Sequence, residues 1–327
     1  MGHNVNKKGY EHCSGCGICL LVCPLWRKTG SMSHTRKGRA RALQGGATIE
    51  DIAASVDACL LCGSCEPVCP EGIGIASMNM EQRSKLNKLR TNYPPWYPKP
   101  SGINTRIKDN ALHNSIILIA GEYPGFDIKA HSNVIKLLGG NKKVSLAADD
   151  GRDIAGLLEA GLPVSQDRID NFIRPLRHAD KLVVPEGLLH VPLRKWLSGK
   201  KVIGIGEALL SSAHIRKALG PEDLYIIECR GYHSDYERLV KFYDRLRKET
   251  GCQTNLDLQR IAIPTGASSL QAKKDVEAAG CLEQARWIIR GRSMKRIVVE
   301  DIADLDVFQR VADVPVIHIS QFSGDNS

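Results

Sequence analysis

Beyond about residue 115 the chain alternates between short runs of β-branched residues and longer stretches whose apolar positions recur every three or four residues. The runs at 116–120, 144–147, 182–184, 202–205, 224–228, 261–263, 297–300 and 316–319 predict strands. The stretches between them, clearest at 232–249 and 272–290, predict amphipathic helices. Such alternation implies an α/β domain with a mostly parallel sheet over residues 115–327. Residues 1–90 read differently. Thr48-Ile-Glu-Asp sets a capping threonine three residues before an acid, and Ile49, Ile52, Ala53 and Val56 then share one helical face. The intervening segment, 91–114, opens with Thr91-Asn-Tyr-Pro-Pro-Trp-Tyr-Pro-Lys-Pro-Ser and reads as a proline-rich linker or strap.

The α/β region predicts a two-fold internal repeat with halves of about 105 residues. Each half opens on a strand running into a polar turn, Ile119-Ala-Gly-Glu-Tyr-Pro and Ile227-Glu-Cys-Arg-Gly-Tyr. Each closes on a strand, a corner and a short helix, Val183-Val-Pro-Glu-Gly-Leu-Leu and Val299-Glu-Asp-Ile-Ala-Asp-Leu.

Cysteine use changes the picture most. Eight of the eleven cysteines lie between Cys13 and Cys69, none between residues 70 and 228, and Cys229, Cys252 and Cys281 follow singly. The longest apolar run, 116–120, is far below the ~20 residues of a membrane helix. Met1-Gly-His-Asn-Val-Asn lacks the apolar core of a signal peptide. A cytoplasmic location is the expectation, and there clustered cysteines point to metal or redox chemistry before disulfides.

The first motif is Cys13-x2-Cys16-x2-Cys19-x3-Cys23-Pro24, and the second is Cys59-x2-Cys62-x2-Cys65-x3-Cys69-Pro70. This is the bacterial ferredoxin run, twice. Three thiolates so spaced wrap a tight loop around one cube, with Gly15, Gly17 and Gly63 leaving room for close backbone approach. The fourth cysteine faces the other cube. Two [4Fe–4S] clusters are therefore expected, one on Cys13, Cys16, Cys19 and Cys69, the other on Cys59, Cys62, Cys65 and Cys23. Zinc ribbons use Cys-x2-Cys pairs instead.

The formal charge of +9 divides into +7 over residues 1–110 and +2 over the rest. Each thiolate-bound cubane carries a net charge of about −2. Much of the basic excess is thus internal compensation, and nucleic acid is not required as a partner.

Thirty-five residues separate Cys23 from Cys59, more than a compact β-hairpin ferredoxin needs. With its helical insert and the basic Arg36-Lys-Gly-Arg-Ala, the segment resembles the helical dicluster ferredoxin of heterodisulfide reductase C- and D-type subunits and of glycolate oxidase iron–sulfur subunits. The basic segment is read equally as a functional loop and as a solvated face. In those families a two-fold α/β domain carries Cys-Cys-Gly motifs. Here Cys229 is followed 34 residues later by Pro264-Thr265-Gly266-Ala267, and Val299-Glu300 stands where a final Cys-x2-Cys would fall. Ala147-Ala148-Asp149-Asp150-Gly151 holds the corresponding place in the first half. Without those thiolates the family's catalytic cluster is not expected.

The resemblance implies an electron-transfer subunit of a heterodisulfide-reductase-like complex, including a sulfur-oxidising version, with a flavoprotein or a B-type reductase subunit as partner. Two other readings stand beside it: the iron–sulfur subunit of a flavin-dependent 2-hydroxy-acid dehydrogenase, and a scaffold with structural clusters. Cys229, at a strand end, is the candidate for a further functional residue, while Cys252 and Cys281 are expected to fill core. His178, His190, His214 and His233 show no metal spacing, and Gly204-Ile-Gly206-Glu lacks the third glycine of a dinucleotide fingerprint.

Overall fold

A computed structural model describes residues 8–98, 112–120, 128–258 and 260–322. The linker beyond residue 98 and the polar turn at 121–124 lie outside the described residues.

The cysteine-rich part is built from short helices: α1 (Ile18–Leu21), α2 (Pro24–Thr29), α3 (Arg36–Gln44), α4 (Ala53–Ala58) and α5 (Ile75–Asn87). Its one β contact among the described residues is an isolated bridge between Lys8 and Ile73. The Thr48 cap closes as the sequence suggests: its hydroxyl accepts from the Asp51 N–H at 3.2 Å, and the Asp51 carboxylate accepts from the Thr48 N–H at 2.8 Å. Ile52 and Val56 then pack on Leu86 of α5, flanked by Ile49 and Ala53. The bridge segment is strapped down where it is described. Tyr97 is buried, and Arg83 lies 4.8 Å over the Trp96 ring.

In the following region come β1 (Ile116–Leu118), α6 (Ile128–Leu137), β2 (Val144–Leu146), α7 (Arg152–Ala160), α8 (Gln166–Ile173), β3 (Lys181–Val183), α9 (His190–Trp196), β4 (Lys201–Ile203), α10 (Ile205–Leu210) and α11 (Ala213–Lys217). There follow β5 (Asp223–Ile226), α12 (Cys229–Ser234), α13 (Tyr236–Thr250), β6 (Gln253–Thr254), β7 (Leu256–Asp257), β8 (Ile261–Ala262), α14 (Leu270–Lys274), α15 (Cys281–Ile289), β9 (Arg296–Val299), α16 (Ile302–Gln309) and β10 (Val316–His318). Two four-stranded sheets result, β2-β1-β3-β4 and β6-β5-β9-β10, parallel throughout. Counted from its own first strand, each has the order 2-1-3-4.

Strand alternation assigns the core. Leu118, Val183 and Ile203 of one sheet join Tyr225 and Val298 of the other in a shared cluster. Their neighbours Ile117, Leu182 and Val202 face the first sheet's outer helices, and Leu224, Ile226, Ile297 and Val299 face the second's. Strands buried on both faces read as unbroken apolar runs, which made them visible in the sequence. Cys252 and Cys281 are buried in these apolar clusters.

Three expectations are corrected. The run at 261–263 is not in the main sheet: Ile261 and Ala262 pair antiparallel with β7, and Gln253–Thr254 takes the place beside β5. Two polar residues carry no periodicity. What holds them is Asn255, fully buried, which accepts from the Ile227 N–H and donates to the Ile263 carbonyl. The stretch 232–249 is two helices, because Asp235 leaves helical geometry at φ −143°. The stretch 272–290 breaks where the Asp275 carboxylate accepts from the N–H groups of Glu277 and Ala278 and Gly280 turns left-handed. Among the described residues no helix is long and apolar enough to cross a membrane.

Candidate metal centres

The two cysteine loops adopt the same backbone. In the first, Gly15 and Gly17 have φ of 78° and 84°; in the second, the same places are held by Leu61 at 51° and Gly63 at 76°. Glycine takes this conformation freely, whereas a leucine does so at about 1–2 kcal/mol. Leu61 is therefore held by its loop against its own preference. Gly63 has a second reason to be glycine, since a Cβ there would lie 2.9 Å from the His233 Cβ.

The eight thiols part into two cavities. One is lined by Cys13, Cys16, Cys19 and Cys69; the other by Cys23, Cys59, Cys62 and Cys65, with Cys19 lining both. The thiols stand apart around these spaces: among the described residues no three His, Cys, Asp or Glu side chains are grouped as a single-ion site would need. Burial pushes the Cys65 thiol well up and Cys23 up to about 12, although the N–H groups of Trp26 and Leu25 work against it at Cys23. At Cys69 burial acts upward too, but the Ile73 N–H and the Arg36 guanidinium outweigh it and the thiol is lowered. Of the eight, Cys16 is exposed.

The basic segment is neither loop nor solvated face. It begins α3, where Thr35 accepts from the Gly38 N–H at 3.3 Å and glycine at 38 lets the helix press on the Met32 carbonyl. Arg36 and Arg39, three residues apart on one face, are 5% and 2% exposed, while Arg41 points to solvent.

The first loop is braced within its own segment: Gln44 Nε2 donates to the carbonyls of Tyr10, Glu11 and Cys13. The second is braced from behind by the α/β region. Arg230 donates to the Leu60 carbonyl at 2.9 Å, and His233 Nδ1 lies 2.8 Å from the Cys62 carbonyl. A carbonyl only accepts, so Nδ1 carries the proton, and burial holds this imidazole neutral, its pKa lowered to about 4. Arg83, buried, donates to the carbonyls of Val56, Asp57 and Cys59 on one side and Glu159 on the other.

Residues 9–73 match the family model described as 4Fe-4S dicluster domain. The chain carries two [4Fe–4S] clusters. Over 83 residues it is 32% identical to the probable glycolate oxidase iron-sulfur subunit of Bacillus subtilis (strain 168), covering 24% of this chain. The chain spans 19% of that relative's length. No solved structure matches it significantly. The dicluster segment and the thiol cavities coincide, and the residues present fit a cubane in each: four thiols, left-handed loops that bring backbone close, and buried guanidinium donors without a protein partner at Arg36 and Arg39.

In the second half of the α/β region, the places where the resemblance puts lost cluster ligands do meet, behind Leu60 and Cys62. Thr265 donates to the Asp304 carboxylate, Gly266 abuts Leu60 and the Cys281 sulfur, and Cys229 begins α12 above an Asn255 amide. The Glu228 side chain caps α12 by accepting from the N–H groups of Arg230 and Gly231. Glu300 accepts from both tyrosine hydroxyls, Tyr225 and Tyr243, and from the Glu228 N–H. The space is filled by carboxylates and their donors. Gly206, read earlier against a dinucleotide loop, is instead where the Glu300 carboxylate packs. In the first half, Asp149 and Asp153 close bidentately on Arg168.

This filled site predicts a pH dependence. Burial, opposed by its three donors, raises Glu300 to about 7, and Asp304 is raised by burial and by Asp301. Folding therefore takes up a proton between the unfolded carboxyl value and 7. Stability falls as pH rises through that window, by roughly 3 kcal/mol for Glu300 alone. Urea unfolding at pH 5 and pH 8 should show wild type weaker at pH 8, with a smaller difference in Glu300→Gln. An equal pH slope in both proteins would remove Glu300 as its source.

Proposed function

We propose that this chain is the iron–sulfur electron-transfer subunit of a multi-subunit redox complex, passing single electrons through its two clusters to or from a flavin-bearing partner. The observation that carries the reading is the parting of eight thiols into two adjacent cavities, with Cys16 at the surface and the second loop clamped by the α/β region. Bound there, a cubane supplies a one-electron couple whose potential follows the hydrogen bonds and burial of its sulfurs. Cys13, Cys16, Cys19 and Cys69 would hold one, and Cys59, Cys62, Cys65 and Cys23 the other.

The relative's name favours the 2-hydroxy-acid dehydrogenase version of such a complex. The heterodisulfide-reductase-like version is supported by the layout of a helical dicluster segment followed by two sheets of like strand order, read here as a two-fold repeat. In either, the α/β region serves as the docking body.

Lys37 and Arg41 flank the Gly15–Gly17 turn that carries Cys16, and α1 shows Ile18 and Leu21 beside it. A basic rim around small apolar contacts suits an acidic redox partner. Charge reversal at Lys37 and Arg41 should slow electron exchange with an acidic one-electron carrier protein about tenfold at low ionic strength, with iron content unchanged. The deficit should shrink towards 1 M salt, where the Debye length is about 3 Å. A deficit indifferent to salt would count against docking at this face.

A further inference from the structure

Two other buried arginines among the described residues are answered by carboxylates or carbonyls. Arg230 pairs with Glu159 at 3.0 Å and Glu186 at 3.5 Å, and Arg83 is spread over backbone carbonyls. Arg36 and Arg39 are the contrast. Among the described residues neither pairs with a carboxylate. Nε and Nη2 of Arg36 and Nε of Arg39 are buried with no hydrogen-bond partner, while Arg39 Nη1 donates to the Ser55 carbonyl at 2.9 Å. An isolated buried guanidinium is costly, and so are its orphaned donors. Both side chains face thiols: Arg36 lines the two cavities together, and Arg39 lines the second. Arg36 lies within electrostatic reach of Cys69 and Cys19 of the first set and of Cys65 of the second.

We infer that Arg36 is a shared counter-ion and hydrogen-bond donor for both clusters, and that Arg39 serves the second cluster alone. The inference rests on the assignment of a cubane to each cavity. Its physical content is a bias on the redox couple. Reduction adds one negative charge to a cluster already negative, and a guanidinium at the sulfurs stabilises the reduced form more than the oxidised one. Arg36 therefore raises both potentials and Arg39 one. Lysine at 36 would keep the charge and lose the planar fork.

The experiment is an EPR-monitored potentiometric titration of the full-length holoprotein, with iron and sulfide counted first. Arg36→Met should disfavour reduction of both clusters by about tenfold, about 59 mV for a one-electron couple. Arg39→Met should move one wave by a similar amount and leave the other. The control Arg310→Met, exposed at the end of α16 and lining neither cavity, should move neither. Arg36→Lys should fall between wild type and Arg36→Met, and it provides the measurement if the methionine variant fails to load. Movement of a single wave in Arg36→Met, or of neither, overturns the shared role. Failure of both Arg36 variants to take up iron overturns the redox bias in favour of a structural part in loading. Wild-type protein with about four irons would instead overturn the two-cluster assignment itself.

Discussion

Cys23→Ala is expected to lose about four of about eight irons, and those lost belong to the motif that starts 36 residues downstream. Cys23 stands at the residue before α2 and lines the cavity of Cys59, Cys62 and Cys65, while Cys69 lines that of Cys13, Cys16 and Cys19. Each motif's last thiol therefore lines the other motif's cavity, and under the proposed assignment it would serve the other's cube. Cys69→Ala should cost the complementary four irons. The two variants should then show distinct EPR spectra in the reduced state, each matching one component of wild type, and their sum should reproduce it. Identical spectra in the two variants, or loss of the local cluster in each, would falsify the cross-ligation.

The second large effect is expected at Arg230. It is 4% exposed and stands between Glu159 and Glu186, themselves 3% exposed, and its Nη2 also donates to the Leu60 carbonyl. Arg230→Met strands two buried carboxylates at once. Removing one partner of such a group costs about 3–5 kcal/mol, far more than the intact network adds. Lys273, 3.6 Å from Glu186, relieves part of this. Arg310, paired with an exposed Asp306 at 2.8 Å, is the control and should cost under about 1 kcal/mol when changed to methionine. Urea unfolding of holoprotein decides it: equal losses in the two variants would mean that Arg230 is no more than another surface pair.

What could be read from sequence alone was what repeats. Eight cysteines in two equal runs named the metal chemistry, and strands buried on both faces announced themselves as unbroken apolar runs. The capping threonine at 48 worked because a cap is local: its partners lie within three residues. What escaped was decided across the fold. Gly15 and Gly17 advertised left-handed turns, but Leu61 does the same work in the second loop without the residue type that signals it. Arg36 and Arg39 were read equally as part of a functional basic loop and of a solvated face, because burial of a cation leaves no mark in one sequence. The +7 of residues 1–110 was the available hint, and it pointed to compensation without saying which arginines supply it. Arg83 and His233 grip carbonyls, which every residue has, so neither could be recognised in advance. Cys229 was singled out at its strand end, and the structure sets it, partly buried, beside the Asn255 amide, within electrostatic reach of Glu228, Asp304, Glu300 and Cys62.

The different bracing of the two loops bears on how far the amino-terminal segment can be treated as a module. The first loop finds its support in Gln44, inside residues 9–73. The second leans on Arg230 and His233, both far outside it. A graft of residues 9–73 into another chain would carry all eight thiols, the first loop with its brace and the second without. The portable unit is the loop together with the surface that grips it, so a chimera designed on the cysteine pattern alone inherits every ligand and only half of the architecture that keeps them in place.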